Sequence, residues 1–292
     1  MLEIKKCPIC EQGSFSSFLE TKDYMITKEP FTIVSCDNCG FHFTNPVPEE
    51  SAVAKYYQDE AYVSHSSSNK GIINAIYNKV RNITLNQKAN WIKKFSSEST
   101  LLDIGSGTGH FLSKMKSLDY NVHGLEPDPI ARKNAKAING VNTDDISKLK
   151  ELKENQFDVI TMWHVLEHVY DLKKNIKHYK RLLKENGVIF IAVPNLSSYD
   201  AKYYKKYWAA YDVPRHLYHF TEKDIVSLFS DMGFKHQATL PMKFDSYYVS
   251  MLSEKYKKGN LLNAIRIGFL SNLKAKNFGF SSQVYVLKLK SK

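Results

Sequence analysis

No apolar run in this sequence approaches the ~20 residues that a membrane-spanning helix needs. The opening residues, Met1-Leu2-Glu3-Ile4-Lys5-Lys6, lack the apolar stretch of a secretory leader. The chain is therefore expected in the cytoplasm, where thiols stay reduced. Cysteine is scarce, with four in 292 residues and none after Cys39, and a reducing compartment disfavours disulfides. No internal repeat is present. Apolar residues make up 43% and charged residues 24%, which excludes a disordered chain. Acids are outnumbered, giving a net charge of +11. The imbalance is local: residues 241–292 hold ten Lys and Arg but two acids. Such an excess attracts RNA, anionic lipid or phosphorylated substrates, or simply solvates a surface.

The four cysteines form two pairs, Cys7-Pro8-Ile9-Cys10 and Cys36-Asp37-Asn38-Cys39. Two intervening residues let one tight turn aim two thiolates at a single tetrahedral metal. A redox pair needs only one such turn, on a thioredoxin-like unit. Structural zinc on Cys7, Cys10, Cys36 and Cys39 is the expectation, since four thiolates leave no open position for catalysis. Short strands between the pairs suggest a small ribbon that a metal must stabilise.

Three regions are expected: a zinc-ribbon-like segment over residues 1–48, a helical linker region over 49–98, and a Rossmann-like domain over 99–292. In the linker region, Ile72, Ile73, Ile76, Val80, Ile83 and Ile92 recur at helical spacing. From residue 99, strand-like runs (100–104, 121–125, 157–162, 188–193) alternate with helical stretches, which predicts a doubly wound, mostly parallel sheet of seven strands. Residues 195–220 are expected to form a substrate loop and 241–280 a helical lid insertion.

Ligands in such sheets sit beyond the carboxyl ends of the strands. There the chain reads Leu101-Leu102-Asp103-Ile104-Gly105-Ser106-Gly107-Thr108-Gly109-His110, a buried strand, a glycine turn and a helix start. The dinucleotide fingerprint wants glycine where His110 stands. Asp103 would repel a pyrophosphate but attract a cationic amino-acid sulfonium. Glu126, 21 residues after Gly105, falls where these folds hold ribose hydroxyls. Asp144 or Asp145, with a preference for Asp145 beside Ile146, would meet an adenine.

In this ordered set, spanning about residues 99–234, the chain resembles the class I S-adenosylmethionine-dependent methyltransferases. The resemblance implies S-adenosylmethionine held by Asp103, Gly105, Gly107, Gly109, Glu126, Asp145 and Ile146. Trp163 and His164, in Trp163-His164-Val165-Leu166-Glu167-His168, match the segment after the fourth strand and complete that set. The cysteine pairs are similar to zinc knuckles that precede several methyltransferase groups.

Methyl transfer requires alignment and, for a hydroxyl, proton removal. His216 is the first candidate for general base and His168 the second; Arg215, in Pro214-Arg215-His216, is expected to bind an anionic or polar substrate group. His164 and His168 also have the spacing of a metal pair, but the order His-Glu-x-x-His is missing, so a metalloprotease is excluded. The expected function is methylation of a small-molecule acceptor, a nucleotide-linked sugar, a lipid-linked intermediate or a quinone-like phenol. An RNA base methyltransferase is the rival, weakened by the lack of an Asn-Pro-Pro-Tyr-type segment after the fourth strand. The basic, apolar pattern over residues 255–276 is read as a lid in preference to a peripheral membrane contact.

Overall fold

The computed structural model describes residues 1–57 and 72–290, and the side chains from residue 78 onward within the helix that begins at Ile72. The Ser-rich stretch 64–68 and the start of the linker helix, with Ile72, Ile73 and Ile76, lie outside these described side chains.

The N-terminal segment contributes β1 (Phe15–Lys22), β2 (Pro30–Cys36) and β3 (His42–Thr44). A long helix, α1 (Ile72–Phe95), leads into the main body. Ala89 and Ile92 of α1 are buried, whereas Ile83 faces solvent. The body then runs β4 (Thr100–Ile104), α2 (His110–Lys116), β5 (Asn121–Leu125), α3 (Pro129–Asn139), β6 (Phe157–Trp163), α4 (Leu172–Leu182) and β7 (Leu183–Pro194). After it come α5 (Tyr199–Tyr204), β8 (Tyr218–His219), α6 (Glu222–Asp231), β9 (Phe234–Pro241), α7 (Asp245–Lys257), α8 (Leu261–Leu273), α9 (Ala275–Phe278) and β10 (Ser282–Leu289).

Among the described residues the main sheet has six strands in the order β5-β4-β6-β7-β10-β9. β5, β4, β6 and β7 are parallel, and β10 runs antiparallel between β7 and β9. The sequence suggested seven strands. The missing edge is reduced to one parallel bridge, Leu125 to Asp144, because the polar run Asn142-Thr143-Asp144-Asp145 offers no apolar face to bury. Central strands are buried on both faces, as parallel sheets covered by helices require: Leu101, Leu102, Val159, Ile160 and residues 188–193 are enclosed.

Local chemistry sets the helix ends. Asp128 caps α3 by accepting from Ile130 N–H at 2.9 Å, and Pro129 follows at the first helical position. Thr221 and Asp224 cap α6 reciprocally.

The N-terminal segment is not a separate bead. Its sheet is four-stranded, β1-β2-β3-β8, and the last strand, Tyr218–His219, comes from the body, well beyond the N-terminal segment in sequence. Cys7, Cys36, Phe41 and Phe43 share one apolar core with Leu102, Ile160 and Phe229 of the body. At the junction lies Arg215, 2% exposed. It donates to Asp23 Oδ1 at 3.0 Å, to Asp212 Oδ1 at 2.6 Å, and to the Tyr56 carbonyl at 2.8 Å. This placement corrects the expectation that Arg215 meets a substrate group: its guanidinium is enclosed and engaged by two carboxylates of its own chain.

Replacing Arg215 with Ala leaves two carboxylates without their buried partner, so R215A should lose about 3–5 kcal/mol of stability in urea unfolding. A normal unfolding curve with a raised substrate KM would instead restore the substrate-binding role.

Candidate active site

The end of β4 delivers Asp103 into an enclosed position, 1% exposed, where Thr161 Oγ1 donates to it at 2.6 Å. Burial raises Asp103 to about 7. The turn that follows has Gly105, Gly107 and Gly109 at positive φ. A side chain on Gly109 would strike Val141 and Ala135, but one at Gly107 would meet nothing, so the turn faces open space there. Gly107 N–H donates to Glu126 Oε2 at 2.7 Å, and Asp128 N–H donates to Oε1 at 2.9 Å. Two of the roughly four lone-pair sites of that carboxylate remain for a ligand. Ser106 Oγ is buried without a partner. A turn with free space at Gly107 and two enclosed carboxylates suits the sugar and amino-acid ends of S-adenosylmethionine.

Asp145 lies beyond the edge of the sheet, capping Ser147 N–H at 3.0 Å and pairing with Arg132 at 2.8 Å. Ile146 packs against the main core. Asp144 pairs with His123 at 3.3 Å.

At the end of β6, Trp163 lies edge-on to Phe111, with Lys88 Nζ 4.1 Å from its ring centre. Burial lowers Lys88 to about 8, against the pull of Asp103 and Asp245. The sequence reading missed Lys88. Its signal was a lysine on the apolar stripe of α1, one turn before Ile92. His164 bridges two carboxylates, with Nδ1 3.2 Å from Glu167 and Nε2 3.0 Å from Asp245. Burial opposes its charge, but Asp245 and Glu167 prevail and lift it to about 10. With both nitrogens engaged, His164 clamps α7 to the end of β6. Asp245 is a second residue the sequence reading overlooked, since it lies 81 positions away.

The structure brings His168 and His216 together, ring centres 4.6 Å apart and edge to face. His216 Nδ1 donates to the Ala210 carbonyl at 2.8 Å, and His168 Nδ1 to the Arg215 carbonyl at 3.0 Å. The Tyr57 hydroxyl lies 3.2 Å from the same His168 nitrogen. Burial, then His216, lowers His168 to about 4, so it is neutral at physiological pH. His216 Nε2 is 3.9 Å from Asp212 Oδ2.

The cysteines also converge. Cys7 and Cys39 sulfurs are 3.6 Å apart, Cys10 and Cys36 sulfurs 3.4 Å, and all four lie within 4.8 Å of one another. Disulfide sulfurs sit at about 2.05 Å. Tetrahedral zinc with Zn–S of about 2.3 Å spaces its sulfurs by roughly 3.8 Å. Gly40, at φ 78°, turns the second knuckle, its N–H donating to the Cys36 carbonyl at 2.8 Å. The donor set and its spacing fit structural zinc.

A methyltransferase-domain family model matches residues 81–239, more than half of the chain. The chain belongs to the S-adenosylmethionine-dependent methyltransferases. A ubiquinone biosynthesis O-methyltransferase of Pelagibacter ubique is 32% identical over 169 residues, covering 48% of this chain and 70% of that protein. The enzyme of the same name from Actinobacillus pleuropneumoniae is 34% identical over 132 residues, covering 41% of this chain and 54% of its own length. Among solved structures, magnesium protoporphyrin IX methyltransferase of Synechocystis shares the fold at a TM-score of 0.54 and 13% identity, covering 83% of this chain and 100% of its own. A methyltransferase of Archaeoglobus fulgidus does so at 0.51 and 18%, covering 75% and 100%. No helix among the described residues is long and apolar enough to cross a membrane.

Two outcomes follow. Cys39→Ser should reduce bound zinc, measured by native mass spectrometry, and lower the melting temperature; unchanged zinc content would contradict the four-thiolate site. Cofactor affinity should depend on pH. Free Asp103 titrates near 7, and a bound cation favours its ionised form, so binding below that pH must expel a proton. Calorimetry should show affinity falling about tenfold per pH unit below 7, and Asp103→Asn should abolish the slope.

Proposed function

We propose that this enzyme methylates a hydroxyl oxygen on a small acceptor of the quinone-like phenol class, and that His216 takes the hydroxyl proton. The observation that carries this reading is the fixed orientation of the His216 ring. Its Nδ1–H is held by the Ala210 carbonyl, which sets the direction of Nε2, 3.9 Å from Asp212 Oδ2. An imidazole oriented through one nitrogen suits proton transfer at the other. His168, held neutral alongside, is the second proton carrier. Similarity to the O-methyltransferases of Pelagibacter and Actinobacillus supports an oxygen acceptor.

S-adenosylmethionine, when bound, supplies an electrophilic methyl group. In this reading Asp103 meets its positive charge, with Gly105, Gly107 and Gly109 shaping the turn. Glu126 receives the ribose hydroxyls, and Asp145 and Ile146 flank the adenine. Trp163 and the His164 clamp wall off water near the reacting end. Arg215 acts as a positioning residue, holding the backbone on which His216 stands. Residues 1–48 form the zinc unit, 49–98 the linker, and 99–292 the catalytic domain with its 195–220 loop and 241–280 helices.

The test is labelled methyl transfer by the zinc-loaded enzyme into phenols, nucleotide-sugars and RNA, scored by class. Phenol labelling supports the proposal; labelling of RNA alone overturns it. His216→Ala should lower kcat about 100-fold or more while adenosylhomocysteine affinity holds. Full turnover in that variant would remove His216 from the chemistry.

A further inference from the structure

Helix α8 is apolar on two sides. Ala264, Ile267, Gly268 and Ser271 are buried, and Gly268 sits directly against Tyr247 of α7. The opposite side is exposed: Leu262 at 80%, Leu273 at 67%, and Leu261, Ile265 and Phe269 near half. Positions 261 or 262, 265, 269 and 273 recur once per turn, so these side chains form one stripe. Met251 and Tyr248 of α7 are also exposed. Isolated surface leucines are ordinary, but a contiguous apolar stripe on a helix marks a contact surface.

The charge around the stripe has one sign. Lys243, Lys255, Lys258, Arg266 and Lys276 are exposed. The two acids of residues 241–292 are turned away: Asp245 is held by His164, and Glu254 is 3% exposed and bonded to Asn263 and Lys257. The outer surface is therefore apolar and cationic together.

We propose that this face docks on an anionic lipid bilayer, with α8 lying in the interfacial plane. Aliphatic side chains enter the acyl boundary and the lysines meet anionic headgroups. A second copy on the same face would set cation against cation. Single-stranded RNA would want aromatic stacking platforms, whereas this stripe is mostly aliphatic. The inference is independent of the acceptor assigned above.

The experiment is sedimentation of the zinc-loaded full chain with vesicles of phosphatidylcholine alone or mixed with phosphatidylglycerol. Binding to the anionic vesicles should exceed binding to neutral ones by about tenfold or more and weaken with salt. The double variant Leu262→Asp and Phe269→Asp should abolish binding yet keep the melting temperature and adenosylhomocysteine affinity of the parent. Arg266→Glu should weaken it. Equal binding to both vesicles, or undiminished binding by the double variant, overturns the proposal. So does a concentration-dependent dimer in sedimentation velocity that the double variant dissolves, or RNA retention lost in Arg266→Glu alone.

Discussion

Asp23 and Asp212 meet at one guanidinium, and the arrangement of the candidate site depends on that meeting. Asp23 belongs to the turn between β1 and β2, Asp212 to the segment that carries His216, and Arg215 lies between them, 192 residues from Asp23 in sequence. A buried charge this enclosed is tolerated only when paired. The pairing therefore fixes the N-terminal sheet against the 209–217 segment. The backbone repeats the link: Thr44 N–H donates to the Leu217 carbonyl, Thr44 Oγ1 to the His216 carbonyl, and Leu217 N–H to the Glu167 carbonyl. His216 is thus strapped between a strand of the cysteine-bearing segment and the turn after β6. The zinc unit, far from the glycine turn in sequence, becomes a buttress for the residue proposed to move the proton.

Electrostatics beyond β4 and β6 follow from the same enclosure. Burial makes Asp103 reluctant to ionise and Lys88 reluctant to stay charged, so each favours a partner of opposite sign nearby. His164 shows the reverse balance, because two carboxylates outweigh its burial. The site thus holds a fixed cation at the end of β6 and a titratable acid at the end of β4.

Much of this was legible in the sequence because local chemistry wrote it there. The alternation of β4, α2, β5 and α3, the glycine turn, Asp103, Glu126 and the cysteine pairs are short-range patterns with a physical cause at each position. What escaped was long-range. Arg215 was read as a substrate ligand because Asp23 could not be seen beside it. Lys88 was hidden in an apolar stripe, and Asp245 opens a helix that touches β6 only in three dimensions. The seventh strand failed because four polar residues replaced the apolar alternation that a strand needs. The four-residue spacing of His164 and His168 suggested a shared face. Instead His164, at φ 59°, breaks away toward Asp245, and His168 pairs with His216 from a distant loop.

Amide hydrogen exchange across residues 209–217, with zinc bound and after its removal, tests this coupling most directly. Exchange at His216 and Leu217 is expected to be slow in the zinc-loaded protein and to accelerate markedly once the metal is stripped, while β6 and β7 stay protected. Unchanged protection of His216 and Leu217 in metal-free protein would contradict the coupling.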